Sequence, residues 1–179
     1  MVNITRDYIK LRIDDSSKLI LIKKEKILKI ILEEKSENKR IIVNEVLKDL
    51  PEWFGMDDAI SDYVENSVKY PLWVAKKDDE VLGFINLKET ALEVGEVYCM
   101  GIKKNWHNNK IGTRLFYELE KYAKNYYKFI QVKTIEQGRY KEYDQTINFY
   151  KSVGFIEFEV FPTLWDEWNP CLIMIKAVS

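Results

Sequence analysis

Apolar side chains recur at helical spacing through residues 109–127, between two runs of strand-forming residues at 95–102 and 129–135. Ile111, Leu115, Leu119, Tyr122, Ala123 and Tyr126 share one face of that stretch, while Arg114, Glu118, Lys121 and Lys124 share the other. A helix that is apolar on one side only has to lie on another layer, and its strand neighbours name that layer as a sheet. Strand, helix and strand in succession belong to a mixed α/β or α+β domain.

The remaining elements fit the same sheet. Strands are expected at 72–75 and 81–87, joined by the polar turn Lys77-Asp78-Asp79, and again at 155–160 and 171–178. A helix at 144–153 ends at Gly154, a residue suited to the left-handed position after a helix. Upstream, 8–13 and 19–22 are strand-like around the turn residues Asp14-Asp15-Ser16-Ser17. Residues 24–34 and 39–50 have the spacing of amphipathic helices, with Pro51 as a stop after the second, and a third helix is expected at 57–68. No linker or repeat divides the 179 residues, so they are expected to form one domain, 1–179, with 1–40 its least legible part.

Composition removes several classes of function. Lys and Arg number 28 against 29 Asp and Glu, a net charge of −1, which does not suggest the basic face of a nucleic-acid binder. No run approaches the ~18 apolar residues of a membrane span, and charged residues break up the N-terminal apolar runs that a signal peptide would need. Cys99 and Cys171 stand far apart and His107 is the lone histidine, so no metal-ligand spacing is present. The expectation is a cytoplasmic protein with reduced thiols, no metal, and a monomeric or homodimeric state.

Chemistry concentrates where the 95–102 strand enters the 109–127 helix, through Lys103-Lys104-Asn105-Trp106-His107-Asn108-Asn109-Lys110-Ile111-Gly112-Thr113. With Asn108 or Asn109 as N-cap, the first amides of the helix have no internal partner and point outward. Together with the positive end of the helix dipole they suit a diphosphate, and Gly112 would leave room for it. Any strand–loop–helix with a glycine offers as much. A second segment, Tyr143-Asp144-Gln145-Thr146-Ile147-Asn148-Phe149-Tyr150-Lys151-Ser152-Val153-Gly154-Phe155, lies some forty residues on and ends a helix in Phe-Tyr, three residues, Gly and Phe.

The two segments together resemble the GNAT superfamily of N-acetyltransferases. The family's cofactor motif, Arg/Gln-x-x-Gly-x-Gly/Ala, falls on His107 to Gly112, with His107 for Arg/Gln and Lys110 for the first Gly. Its later motif, Asn-x-x-Ala-x-x-Phe-Tyr-x-x-x-Gly-Phe, falls on Tyr143 to Phe155, with Tyr143 for Asn and Thr146 for Ala. The resemblance covers residues 51–178. Leu50-Pro51-Glu52-Trp53-Phe54-Gly55 and the Trp-rich stretch from Phe161 to Pro170 further resemble segments of a GNAT subgroup.

The resemblance implies a twisted mixed sheet flanked by helices, the acyl-CoA N-acyltransferase fold. Acetyl-CoA would lie in a cleft between the strands at 95–102 and 129–135. His107, Asn108, Asn109, Lys110, Ile111, Gly112 and Thr113 would hold its phosphates. Met100 and Ile102 would pair with its pantetheine arm, and Tyr143 would line its path; an ordinary buried strand is the alternative for Met100 and Ile102. Tyr150 would protonate the departing thiolate, or else be a packed aromatic at the end of a helix. Glu96 would take the amine's proton, or else be a strand-edge glutamate. Glu52, Trp53, Phe54, Trp165 and Asp166 would face the acceptor, with Trp168 and Glu167 nearby, unless the tryptophans pack beneath their loops. An acyl-cysteine route through Cys99 has no partner base in view. The implied reaction is acetyl transfer to a primary amine of a small molecule or peptide by direct attack in a ternary complex. A CoA-binding sensor without turnover and a protein-interaction domain built on the Trp-rich loops are the alternatives.

Overall fold

The computed structural model describes residues 8–12, 19–23 and 27–178, the first two segments by their backbone alone. Those two are β1 (Tyr8–Arg12) and β2 (Leu19–Lys23), an antiparallel pair in a sheet of its own. The turn expected at 14–17 lies outside the described residues.

The main sheet has seven strands, β3 (Leu28–Glu33), β4 (Leu72–Lys77), β5 (Glu80–Ala91), β6 (Val94–Ile102), β7 (Phe129–Ile135), β8 (Ile156–Asp166) and β9 (Asn169–Ala177). Their order is β3-β4-β5-β6-β7-β9-β8, and every pairing is antiparallel except β6 with β7. Helices α1 (Ser36–Lys48) and α2 (Asp57–Ser67) cover one face, and α3 (Ile111–Ala123) and α4 (Lys141–Ser152) belong to the core on the other. Among the described residues no helix is long and apolar enough to cross a membrane. The expected mixed sheet flanked by helices is the observed architecture.

Three local expectations are corrected. Residues 28–33 form the edge strand β3, not part of a helix over 24–34. The run Leu-Lys-Ile-Ile-Leu-Glu suits either state over so few residues. The hydrogen bonds on offer from β4, from Leu28↔Lys77 to Glu33↔Leu72, decide it, since a short isolated helix is marginal. Next, α3 starts at Ile111 and its N-cap is Lys110, where Asn108 or Asn109 was expected. Asn108 (φ 62°) and Lys110 (φ 58°) both lie in the left-handed region, which keeps the helix from starting earlier. Finally, the loop expected at 161–170 is mostly strand. β8 runs on to Asp166, with a register shift between Phe161 and Asp166, and the turn shrinks to 167–168.

Two features of β6 shape the site. A β-bulge opposite Asn86 and Leu87 leaves Tyr98 without a cross-strand partner between Val97 and Cys99. The Asn86 side chain mends the ladder there, its Oδ1 accepting the Cys99 amide at 2.8 Å. Tyr98 and Cys99 consequently both pack on the α1/α2 side, where strict alternation would have separated them. In addition, β6 and β7 pair only at Val94↔Phe129, Gly95↔Ile130 and Glu96↔Gln131. Beyond Glu96 the strands diverge into a V.

Candidate active site

One arm of the V leads into the anion loop. A 3-10 turn at Lys104–Trp106 follows β6, and His107 Nε2 then donates back to the Ile102 carbonyl at 2.7 Å. Asn109 Nδ2 donates to the His107 carbonyl at 2.9 Å, which braces the backbone just before Lys110. No side chain caps α3, and its first internal bond runs from the Arg114 amide to the Lys110 carbonyl at 3.1 Å. The amides of Ile111, Gly112 and Thr113 therefore stand at an uncapped, electropositive helix end. Gly112 also has a packing reason to be small. A Cβ on it would meet Met100 Cε at 3.0 Å and Phe149 Cε2 at 3.1 Å, so it lets α3, β6 and α4 close together.

Tyr150, on α4, is 4% exposed. Its ring packs edge-on against Phe149 and Phe155, with centroids 5.2 and 5.3 Å away. Burial, and secondarily the Cys99 thiol, push its hydroxyl well above the usual tyrosine range, so it keeps its proton. Among the described residues nothing hydrogen-bonds that hydroxyl. It is a core aromatic with an uncommitted proton. Burial raises the Cys99 thiol likewise, which disfavours the thiolate that acyl transfer through it would need.

Glu96 is the last β6 residue paired with β7, at the vertex of the V. Its side chain is 8% exposed, and Oε2 accepts from Gln131 Nε2 at 2.6 Å and from Lys133 Nζ at 2.8 Å. Both bonds fall on one oxygen, and Oε1 has no partner among the described residues. Tyr63 of α2 packs edge-on against Tyr98 at 5.4 Å and against Phe54 at 5.6 Å. Burial raises the Tyr63 hydroxyl, and the nearby Cys99, Tyr98, Tyr143 and Glu96 add to the shift. Tyr63 thus links α2 to β6 through Tyr98 and to the α1–α2 loop through Phe54, while Glu96 links β6 to β7 through Gln131 and Lys133.

The α1–α2 loop spans both arms. On one side Lys104 donates its amide to Asp49 Oδ2 at 2.7 Å and its ammonium to Glu52 Oε1 at 2.6 Å. That bond is the first cause of the lowered Glu52 pKa. On the other side the Trp53 indole N–H is shared between the Glu142 carbonyl (3.3 Å) and Thr146 Oγ1 (3.2 Å), while the Tyr143 hydroxyl donates to the Trp53 carbonyl at 3.0 Å. The indole also meets His107 edge-on at 5.8 Å.

The β8–β9 turn contributes less than expected. Asp166 Oδ1 accepts the Trp168 and Asn169 amides, both at 2.9 Å, and Asn169 Nδ2 donates to both its oxygens, so its carboxylate is committed to closing the turn. Trp165 is exposed and Trp168 is 80% exposed. Among the described residues no ring contact joins either to Trp53, so the three indoles do not pack on one another. Sequence reasoning passed over Tyr63, Tyr98, Gln131, Lys133 and Asn86. The strand register that unites them was the missing signal.

The profile of the acetyltransferase (GNAT) family matches residues 35–155. No curated protein matches the chain. Solved structures share its fold at low identity. A protein assigned to the GNAT acetyltransferase family from Desulfovibrio desulfuricans is 14% identical, with a TM-score of 0.74 over 86% of this chain and 100% of its own. A GNAT acetyltransferase from Elizabethkingia anophelis with acetyl-CoA bound is 16% identical, with a TM-score of 0.64 over 86% and 99%. The aminoglycoside 6'-N-acetyltransferase from Enterococcus faecium is 19% identical, with a TM-score of 0.62 over 83% and 97%.

Proposed function

The chain belongs to the acetyltransferase (GNAT) family, and we propose that it transfers an acetyl group from acetyl-CoA to a primary amine by direct attack within a ternary complex. The observation that carries this reading is the uncapped start of α3 beside a β6 edge that β7 has left. Free amides at a helix end fit a diphosphate, and an unpaired strand edge fits the amides of a pantetheine arm. Acetyl-CoA, when bound, supplies an acyl thioester, a carbonyl open to attack with a thiolate as leaving group.

The residues around the V then have separable tasks. The amides of Ile111, Gly112 and Thr113 hold the phosphates, and Met100 offers its backbone to the arm. The Ile102 carbonyl is occupied by His107, so Ile102 contributes through its amide and side chain. Lys110, exposed beside the helix end, adds positive charge. Glu96 Oε1 accepts the proton of the incoming ammonium, while Gln131 and Lys133 fix the carboxylate through Oε2. Such a base is needed, because an amine of ordinary pKa ~10.4 is free base in only about one part in a thousand near pH 7. Burial keeps Tyr150 Oη protonated through the physiological range, and its proton passes to sulfur only as negative charge builds there. The ammonium loses two protons on its way to the amide: Glu96 takes the first and passes it to solvent, and the second, leaving nitrogen as the C–S bond breaks, replaces the proton that Tyr150 gives to sulfur.

Thiol release from acetyl-CoA, followed over a panel of amines, tests this reading. Amine-dependent release that falls sharply in Glu96→Gln supports it. Binding of CoA without release for any acceptor would overturn it in favour of a sensor module.

A further inference from the structure

We propose that the acceptor is a zwitterion, an amine whose own carbon carries a carboxylate, as in a free α-amino acid with an apolar or aromatic side chain. The inference rests on the transferase reading and names the substrate class of that site.

It starts from the charges at the vertex. Acidic loops suggest a polycationic acceptor, but the structure commits two of those acids locally: Glu52 to Lys104, and Asp166 to its own turn. What remains where β6 and β7 part is the ion pair Glu96–Lys133, its atoms 2.8 Å apart. A simple amine on Glu96 Oε1 gains from the carboxylate and gives back part of that gain to the neighbouring ammonium. An α-amino acid presents the opposite signs on neighbouring atoms, so its ammonium can meet Glu96 Oε1 while its carboxylate meets Lys133.

The bonding capacity left at the pair fits that arrangement. Glu96 uses only Oε2, and Lys133 makes one of the three hydrogen bonds an ammonium can donate. Glu96 is 8% exposed and Lys133 31%, so a ligand at this point meets charges partly withdrawn from water, where such pairings are strongest. The walls supply the remaining selectivity. Phe54, Tyr63 and Tyr98 form a continuous edge-to-face run, and Tyr63 lies close enough to Glu96 to feel its charge, so the run offers a surface for an apolar or aromatic side chain rather than a sugar. Gln131, on the same oxygen as Lys133, holds the carboxylate in place should Lys133 turn toward a ligand.

The test compares acceptors that differ only at the carboxylate: L-leucine, L-leucinamide and isopentylamine, with L-phenylalanine and phenethylamine as a second set. Thiol release with acetyl-CoA is expected to give the amino acids a kcat/KM about ten- to a hundredfold above their decarboxylated or amidated partners. Lys133→Met should bring that ratio near one, and Lys133→Arg should keep most of it. CoA affinity and the unfolding midpoint, measured on each variant, separate loss of the pair from loss of the fold. Isopentylamine or leucinamide serving as well as leucine would overturn the proposal, as would a ratio unchanged by Lys133→Met. Calorimetry of L-leucine against isopentylamine on the CoA-loaded protein asks the same question without turnover. A preference for leucine there supports the zwitterion site even if no amine is acetylated, a result that would sink the transferase reading alone. Equal affinity sinks the site.

Discussion

The Trp53 indole donates to Thr146 Oγ1 at 3.2 Å, tying the loop after α1 to α4 on the far side of the V. The Tyr143 hydroxyl donates to the Trp53 carbonyl from the same helix. Tyr143 and Thr146 are the two positions where α4 departs from the family's Asn and Ala, and both departures are spent on Trp53. They are one adaptation, and the variants should show it. Thr146→Ala and Trp53→Phe should each cost about 1 kcal/mol of stability. Combined, they should cost less than their sum, since both delete the same bond. Denaturant unfolding of the four proteins in the cycle measures this; strictly additive losses would mean that the bond does not form.

Lys110, at the position where the family's motif has glycine, lies in the left-handed region, with φ 58° and ψ 15°. A left-handed residue with a Cβ costs about 1–2 kcal/mol, partly offset by the greater freedom that glycine has when unfolded. Lys110→Gly should therefore raise the thermal midpoint by a few degrees. Asn108→Gly should change it less, because asparagine tolerates this region well. A fall in midpoint for Lys110→Gly would show that the lysine side chain contributes more than its backbone strain removes.

Tyr150→Phe removes one oxygen and leaves the ring in its place against Phe149 and Phe155. Turnover should drop about a hundredfold, the scale of a general acid, with CoA affinity nearly unchanged. Steady-state kinetics and calorimetry on the variant give both numbers. Unchanged turnover would reduce Tyr150 to a packing residue.

Tyr63 and Tyr150 both have hydroxyl pKa values raised by burial. The unfolded chain ionises its tyrosines near pH ~10 while the folded chain keeps these protonated. Their contribution is thus complete below that value and is lost as pH rises above it. The thermal midpoint should fall steeply above about pH 10. It should fall less steeply in Tyr63→Phe/Tyr150→Phe, whose two rings no longer titrate. Identical slopes in the two proteins would contradict the buried placement.

Much of the frame could be read from local pattern. The α3 face, the strands around it and the Phe-Tyr…Gly-Phe end of α4 each depend on residues a few positions apart, where period and turn chemistry act. Gly154, at φ 96°, occupies the left-handed position expected of it. Non-local pairing is where that reasoning stops. Residues 28–33 form a strand because β4 lies alongside, and nothing within the segment announces β4. The vertex cluster failed for the same reason. Glu96, Gln131 and Lys133 come together through a parallel register of three residue pairs, and Tyr98 turns toward Tyr63 because a bulge held by Asn86 shifts the alternation of β6.

Among the described residues, that short register and the Lys128 and Phe129 amides on the Glu93 carbonyl are the backbone bonds that stitch the β3–β6 half of the sheet to the β7–β9 half. On one face the joint is backed by a core that runs unbroken from Trp73 to Met174, whereas on the other it is crossed by the Glu96 contacts to Gln131 and Lys133. The molecule is consequently jointed like a jaw, stiff along its packed back and clasped across its opening by a few side-chain bonds, Glu96 with Gln131 and Lys133, and Trp53 with Thr146 and Tyr143. A ligand that draws Lys133 away from Glu96 undoes one of those clasps.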